Sequence, residues 1–150
     1  QPPNLRVVDF AVDPEGRVAF SFGVMFVVRR EQADILTSVA VEQMEDNIAE
    51  HLVTCWPDET RGMTDDDLLR WVRYGVERGR PYDIVTEYDV ARYLDLMFFL
   101  QADFEDNTYF PWAREILDDP TLSGRVKVDR LMEHTTQMTR DLVAVAEAER

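Results

Sequence analysis

The segment from Thr86 to Pro120 constrains the fold more than any other part of the chain. It starts with a helix cap, continues through an almost wholly apolar stretch from Leu94 to Leu100, and ends in an acidic, aromatic turn. A helix that is apolar on every side has to be covered on every side. We therefore expect this helix to lie at the centre of a helical core, with the other helices as its neighbours.

Apolar residues at helical spacing predict the rest of a mainly α fold, a bundle of about five helices. The first helix should stop before Pro57, since proline cannot continue a helix. Thr64 and Asp67 have the spacing of a capping box, which indicates the start of the second helix. The five predicted helices begin near Arg30, Thr64, Thr86, Pro111 and Val126.

Residues 1–28 have a different pattern, typical of strands. Two stretches rich in β-branched and aromatic residues, Leu5 to Val12 and Val18 to Val28, flank the turn sequence Asp13-Pro14-Glu15-Gly16. We predict a β-hairpin extension over residues 1–28, followed by a helical domain over residues 29–150. Because an isolated hairpin is only marginally stable, it should dock on the helices, on a partner's sheet, or on a second copy in a homo-oligomer.

Charge narrows the classes of partner. Thirty acidic and sixteen basic residues give a formal net charge of −14 at pH 7. Such a chain repels nucleic acid and anionic membranes, whereas it suits a basic protein partner; simple solubility is the other explanation of the charge. One cysteine, Cys55, in an ordinary globular composition favours a reducing cytoplasm as the location.

The residue pattern gives little support for a metal or cofactor site. His51 and Cys55 are four residues apart and share a helical face. Two ligands are too few, because a structural zinc needs about four. We therefore interpret His51 as a surface residue and Cys55 as a small buried apolar group. Asp103, Glu105 and Asn107 resemble the start of a calcium loop. The resemblance then fails, because the sixth position lacks glycine and the twelfth lacks a carboxylate. No nucleophile motif or phosphate loop is present. We expect no cofactor, no metal and no catalysis.

Aromatic and acidic residues gather around the third predicted helix and the turn after it. This composition fits packing in the core, because aromatic rings are apolar. It also fits an aromatic interface, because the hydroxyl of a tyrosine can remain in contact with water. We select as candidate partner-binding residues Asp103, Glu105, Asp106, Tyr109, Phe110, Trp112, Tyr82 and Tyr88.

Four stretches are similar to a small helical bacterial family associated with type VI secretion and polymorphic-toxin loci. They are Arg29 to Gln32, His51 to Pro57, Arg73 to Phe104 and Phe110 to Pro120. The resemblance covers about residues 25–150 and rests on packing and capping residues. It implies an accessory role beside effectors and carries over no catalytic residue. Members of the family begin near the position of Met25, so it stays open whether residues 1–24 belong to the helical domain.

The pattern and the resemblance together predict a protein-interaction module, an adaptor or chaperone for a secreted effector or spike component. An immunity protein that neutralises a basic toxin is the alternative within the same class. A small helical enzyme or ligand-binding protein, with its pocket between the second, third and fifth predicted helices, is the alternative from another class.

Overall fold

A computed structural model describes the backbone of residues 10–12, 18–21, 25–28 and 30–150, and the side chains of residue 35 and residues 37–150. The chain divides into two compact units, residues 1–44 and residues 45–150. The division falls within the first helix, which contributes residues to both units. The candidate sites described below belong to the second unit.

The described residues are mainly helical, as predicted. Their six α-helices are α1 (Arg30–Cys55), α2 (Pro57–Thr60), α3 (Asp65–Gly79), α4 (Glu87–Phe99), α5 (Pro111–Leu117) and α6 (Gly124–Ala148). Two short 3₁₀ turns, Arg80–Tyr82 and Phe104–Asp106, follow α3 and α4. The sequence pattern does not predict helix α2. Pro57 does follow the end of α1, but it also opens a helix of its own, since a proline at the first helical position loses no hydrogen bond.

The first unit contains three strands in the order β1 (Phe10–Val12), β2 (Val18–Ser21) and β3 (Met25–Val28). Neighbouring strands are antiparallel, and Phe20 on β2 pairs with Phe10 on β1 and with Phe26 on β3. The turn that we predict at residues 13–16 lies outside the described residues. The hairpin extension therefore stays a prediction.

Side-chain caps fix the starts of the three longer helices of the second unit. The capping box at α3 is confirmed, because Thr64 Oγ1 accepts from the Asp67 N–H at 3.2 Å and Asp67 Oδ2 accepts from the Thr64 N–H at 3.1 Å. Thr86 caps α4 by accepting from the Asp89 N–H at 3.2 Å. Ser123 caps α6, so this helix begins two residues before the predicted Val126.

Helix α4 lies at the centre of the second unit and contacts both α3 and α6. Its residues Val90, Tyr93, Leu94, Leu96 and Met97 are buried, as the apolar stretch predicts. On α3, a Cβ atom at position 75 would lie 2.5 Å from Leu94 Cδ2, so glycine there lets the two helices approach closely.

The end of α4 differs from the prediction. The helix stops at Phe99, and Phe99 is 50 % exposed. The expectation that the apolar end is covered on every side is therefore wrong for this residue, because the neighbouring helices leave one side of the last turn open.

Candidate functional site

The turn between α4 and α5 holds most of the residues that the sequence selects for partner contact. Tyr109 is 85 % exposed, and Asp103 and Asp106 are exposed as well. Asn107 holds the turn from within, because its Oδ1 accepts the Tyr109 N–H at 2.9 Å and its Nδ2 donates to Gln101 at 2.9 Å. The turn thus presents a large aromatic side chain on a backbone fixed by hydrogen bonds.

Two aromatic residues continue this surface towards α6. Phe110 and Trp112 are half-buried and meet edge to face, with ring centroids 6.1 Å apart. Trp112 stacks on the imidazole of His134 at 4.9 Å with an angle of 10° between the rings. We call Asp103, Tyr109, Phe110 and Trp112 the turn patch.

Glu105 differs from the other candidates in this turn because its side chain is only 1 % exposed. It forms a salt bridge with Arg78 of α3. Burial and the nearby charge of Glu105 raise the pKa of the Tyr93 hydroxyl well above its usual range. Glu105 therefore ties the turn to the core and does not belong to the exposed surface.

Asp106 and Tyr82 lie together through Arg114. The guanidinium of Arg114 forms a salt bridge with Asp106 and donates to the Tyr82 hydroxyl at 3.1 Å. Arg78 also donates to Asp106, at 3.1 Å. The negative charge of Asp106 is thus matched by two guanidinium groups, which leaves Asp103 as the carboxylate of the turn with the greater freedom to meet a partner.

Tyr88 belongs to a different cluster, at the start of α4. The guanidinium carbons of Arg92 and Arg125 lie 4.4 Å and 5.1 Å from the centre of its ring. Both arginines also bind the buried carboxylate of Asp89. Tyr88, which is 59 % exposed, therefore covers an ion cluster and is not part of the turn patch.

A groove that the sequence did not predict lies where the end of α1 meets α4 and α6. Its volume is about 460 Å³, within the range of small-molecule sites. Its walls are mostly apolar and include the open side of Phe99. The lining residues are Cys55, Trp56, Asp95, Leu96, Phe99, Met132, Thr135, Thr136, Thr139 and Arg140.

Three side chains that are capable of acid–base or nucleophilic chemistry lie together at one end of the groove. His51 Nε2 lies 2.9 Å from both carboxylate oxygens of Asp95, and Cys55 Sγ lies 3.7 Å from His51 Nδ1. The Trp56 indole donates to Asp95 Oδ1 at 2.8 Å. An ionised carboxylate only accepts hydrogen bonds, so His51 Nε2 carries a proton. In the neutral imidazole, Nδ1 then faces the thiol with a free lone pair.

The sequence interpretation of Cys55 as a buried apolar residue is wrong, because Cys55 is exposed. Its spacing from His51 is visible in the sequence, but Asp95 lies forty-four residues beyond His51 and comes near only when α4 packs beside α1. The imidazole stands between the thiol and the carboxylate, with one nitrogen facing each. The three groups therefore do not converge on a common metal ion, and the described residues contain no cluster suited to one.

No family model, curated protein or solved structure matches this chain. Among the described helices, none has both the length and the apolar character needed to cross a bilayer. The turn patch and the groove are therefore the two structural features that bear on function.

Proposed function

We propose that the protein is a non-catalytic interaction module that acts as an adaptor or chaperone for a secreted effector in a bacterial secretion or toxin system. The observation that carries the proposal is Tyr109, which is 85 % exposed on a turn held by internal hydrogen bonds. Exposed aromatic residues are enriched at protein interfaces, where they act as anchors. A fixed backbone lowers the entropy that such an anchor loses on binding.

Charge favours a basic surface on the partner. The net charge of −14 attracts a basic protein, and Asp103 adds a carboxylate to the turn patch itself. Complementary charges mainly speed association and select the partner, while the aromatic residues provide most of the affinity. We expect the complex to form more slowly as the salt concentration rises, since the attraction between exposed charges is screened.

The resemblance of residues 25–150 to accessory proteins of type VI secretion and toxin loci supports an effector or a spike component as the partner. An adaptor of this kind meets its effector before export, in the cytoplasm. A contact surface made of three aromatic residues and one carboxylate is better suited to binding a protein than to catalysing a reaction.

Affinity purification from the native bacterium tests the proposal. We expect the wild-type protein to recover a secreted toxin or spike component, which mass spectrometry identifies. The double variant Tyr109→Ser, Asp103→Lys should recover at least about tenfold less of it, because both the aromatic anchor and the carboxylate charge are lost. Val145→Ser is the matched control, since Val145 is also exposed, at 57 %, but lies near the end of α6. Recovery of only housekeeping proteins at every salt concentration would exclude the adaptor function. Equal recovery by the double variant would exclude the turn patch.

An immunity protein is the second candidate, favoured by the net charge of −14, which suits the basic surface of a toxin. Co-expression separates the two functions. An immunity protein rescues growth of cells that produce the toxin, whereas an adaptor leaves growth inhibited and changes the amount of effector that is secreted.

A further inference from the structure

We infer a second function at the groove: Cys55 is a nucleophilic thiol that accepts an acyl group from a thioester, and the acyl chain then lies in the groove. This second function is independent of the turn patch. It depends on two features that meet at one place, a thiol with a proton acceptor and an apolar groove beside it.

The first feature is the arrangement of Cys55, His51 and Asp95. A thiol becomes a strong nucleophile when a neighbouring base takes its proton. His51 Nδ1, 3.7 Å from Cys55 Sγ, is placed to be that base. Asp95 accepts from His51 Nε2 at 2.9 Å and thereby keeps the lone pair of the imidazole on the side of the thiol. Cys55 acts as the nucleophile, while Asp95 is a positioning residue.

The Trp56 indole makes this arrangement more rigid. It donates to Asp95 Oδ1 at 2.8 Å, so the carboxylate is held from two sides by His51 and Trp56. The carboxylate is also half-buried, with 21 % of its side chain exposed. A hydrogen-bonded carboxylate in such a position keeps the imidazole in one orientation.

The second feature is the apolar wall of the groove. Leu96, Phe99 and Met132 contribute apolar surface. The hydroxyls of Thr135, Thr136 and Thr139 donate to backbone carbonyls of their own helix at 2.8–2.9 Å. Because these hydroxyl protons are already used, the three threonines have no proton left to donate to a polar ligand. The groove therefore suits a hydrocarbon chain.

The reaction is an exchange of one thioester for another. The Cys55 sulfur attacks the carbonyl carbon of the donor thioester, and the bond between that carbon and the donor sulfur breaks. The thiol proton of Cys55 passes to His51 Nδ1 and from there to the departing thiolate. The products are S-acyl Cys55 and a free thiol, so no oxidant or reductant is required.

The backbone around Cys55 favours capture of one acyl group over repeated turnover. Acylation and hydrolysis both pass through an oxyanion, but water is a weaker nucleophile than a thiolate, so hydrolysis depends more strongly on hydrogen-bond donors to that oxyanion. The Trp56 N–H already donates to the Leu52 carbonyl at 2.8 Å, and Pro57 has no N–H. The two residues after the nucleophile therefore supply no donor. We expect the acyl group to remain on Cys55.

Acyl transfer to the purified 150-residue chain tests the inference. The probes are the octanoyl and acetyl thioesters of N-acetylcysteamine, and intact-mass spectrometry follows the adduct. We expect one octanoyl group per chain, located on Cys55 by peptide mapping, and formed about tenfold faster than the acetyl adduct because only the longer chain fills the groove. Cys55→Ser should give no adduct.

Two further variants separate chemistry from folding. His51→Gln keeps an N–H donor for Asp95 but has no basic nitrogen, so we expect it to lower the rate with both probes at least about tenfold without changing the thermal midpoint. Met132→Asp, on the groove wall, should slow the octanoyl reaction about tenfold more than it slows the acetyl reaction, because a carboxylate in the wall opposes burial of the hydrocarbon chain. The inference is overturned if the folded protein reacts no faster than the urea-unfolded chain. A wild-type rate in folded His51→Gln, or equal rates for the two probes, would overturn it as well.

Discussion

The guanidinium of Arg78 on α3 forms a salt bridge with Glu105, whose side chain is only 1 % exposed in the turn after α4. Although burial acts to lower the pKa of Arg78, its bonds to Asp106 and Glu105 raise it well above the usual range, so Arg78 stays charged at every accessible pH. The pair joins the buried base of the turn to the core. The exposed part of the same turn, which includes Tyr109, is therefore attached to the core through this pair.

Arg78→Ala should lower the free energy of unfolding by about 3–5 kcal/mol, because it leaves the Glu105 carboxylate buried without its partner. Urea denaturation followed by circular dichroism measures this change. Arg80→Ala is the matched control, since Arg80 pairs with Glu77 at 3.2 Å on the surface, where both side chains are about two-thirds exposed. Its effect should stay within about 0.5 kcal/mol. Equal losses in the two variants would mean that the Arg78 to Glu105 pair does not stabilise the turn.

A second prediction concerns Asp89 and pH. Burial acts to raise the pKa of Asp89, but hydrogen bonds from Arg92, Thr86 and Arg125 outweigh it and hold the pKa below its usual value. A carboxyl whose folded pKa is lowered contributes stability above its unfolded pKa of about 3.9, and this stability disappears as the pH falls through the folded pKa.

Asp89→Asn should therefore lower the free energy of unfolding at pH 7 by about 1.5–3 kcal/mol, the contribution of charged hydrogen bonds. The difference between the two proteins should shrink as the pH falls below about 4. Urea denaturation of both proteins at several pH values measures it, and subtraction cancels the titration of carboxyls that the two proteins share. A difference that is constant from pH 7 to pH 3 would contradict the assigned role of the Asp89 charge.

Local signals in the sequence locate five of the six helices in the described residues, but not the groove. The caps at Thr64 and Thr86 can be predicted because a cap acts on residues three positions away, and the spacing alone reveals it. The prediction for Phe99 fails because periodicity reports which side of a helix is apolar, not whether a neighbour is long enough to cover it. Its exposure depends on where α1 and α6 pass, which no local pattern contains.

Long-range contacts also explain the other differences between the sequence predictions and the structure. Glu105 has the same sequence signature as the exposed carboxylates around it, and only its burial against the core separates it from them. The approach of Asp95 to His51 likewise depends on helix packing. The composition of the turn is enough to select it as a candidate, whereas the groove has no compositional signal, since its lining residues come from separate segments of the chain at α1, α4 and α6.

The close approach between the start of α6 and the segment before α4 supports a last prediction. A Cβ atom at position 124 would lie 1.8 Å from the Asp83 carbonyl oxygen, a distance that no side-chain rotation relieves because the oxygen belongs to the backbone. Asp83 itself has φ of 63°, so its backbone has little freedom to move away. Gly124→Ala should therefore shift α6 and lower the free energy of unfolding by about 2–4 kcal/mol, the range of severe overpacking.

Gly62→Ala is the control, because a methyl group at position 62 would have no heavy atom within 4 Å, and it should change stability by less than about 1 kcal/mol. Thermal and urea denaturation of both variants measure the contrast, and an unchanged midpoint in Gly124→Ala would show that α6 does not need this contact.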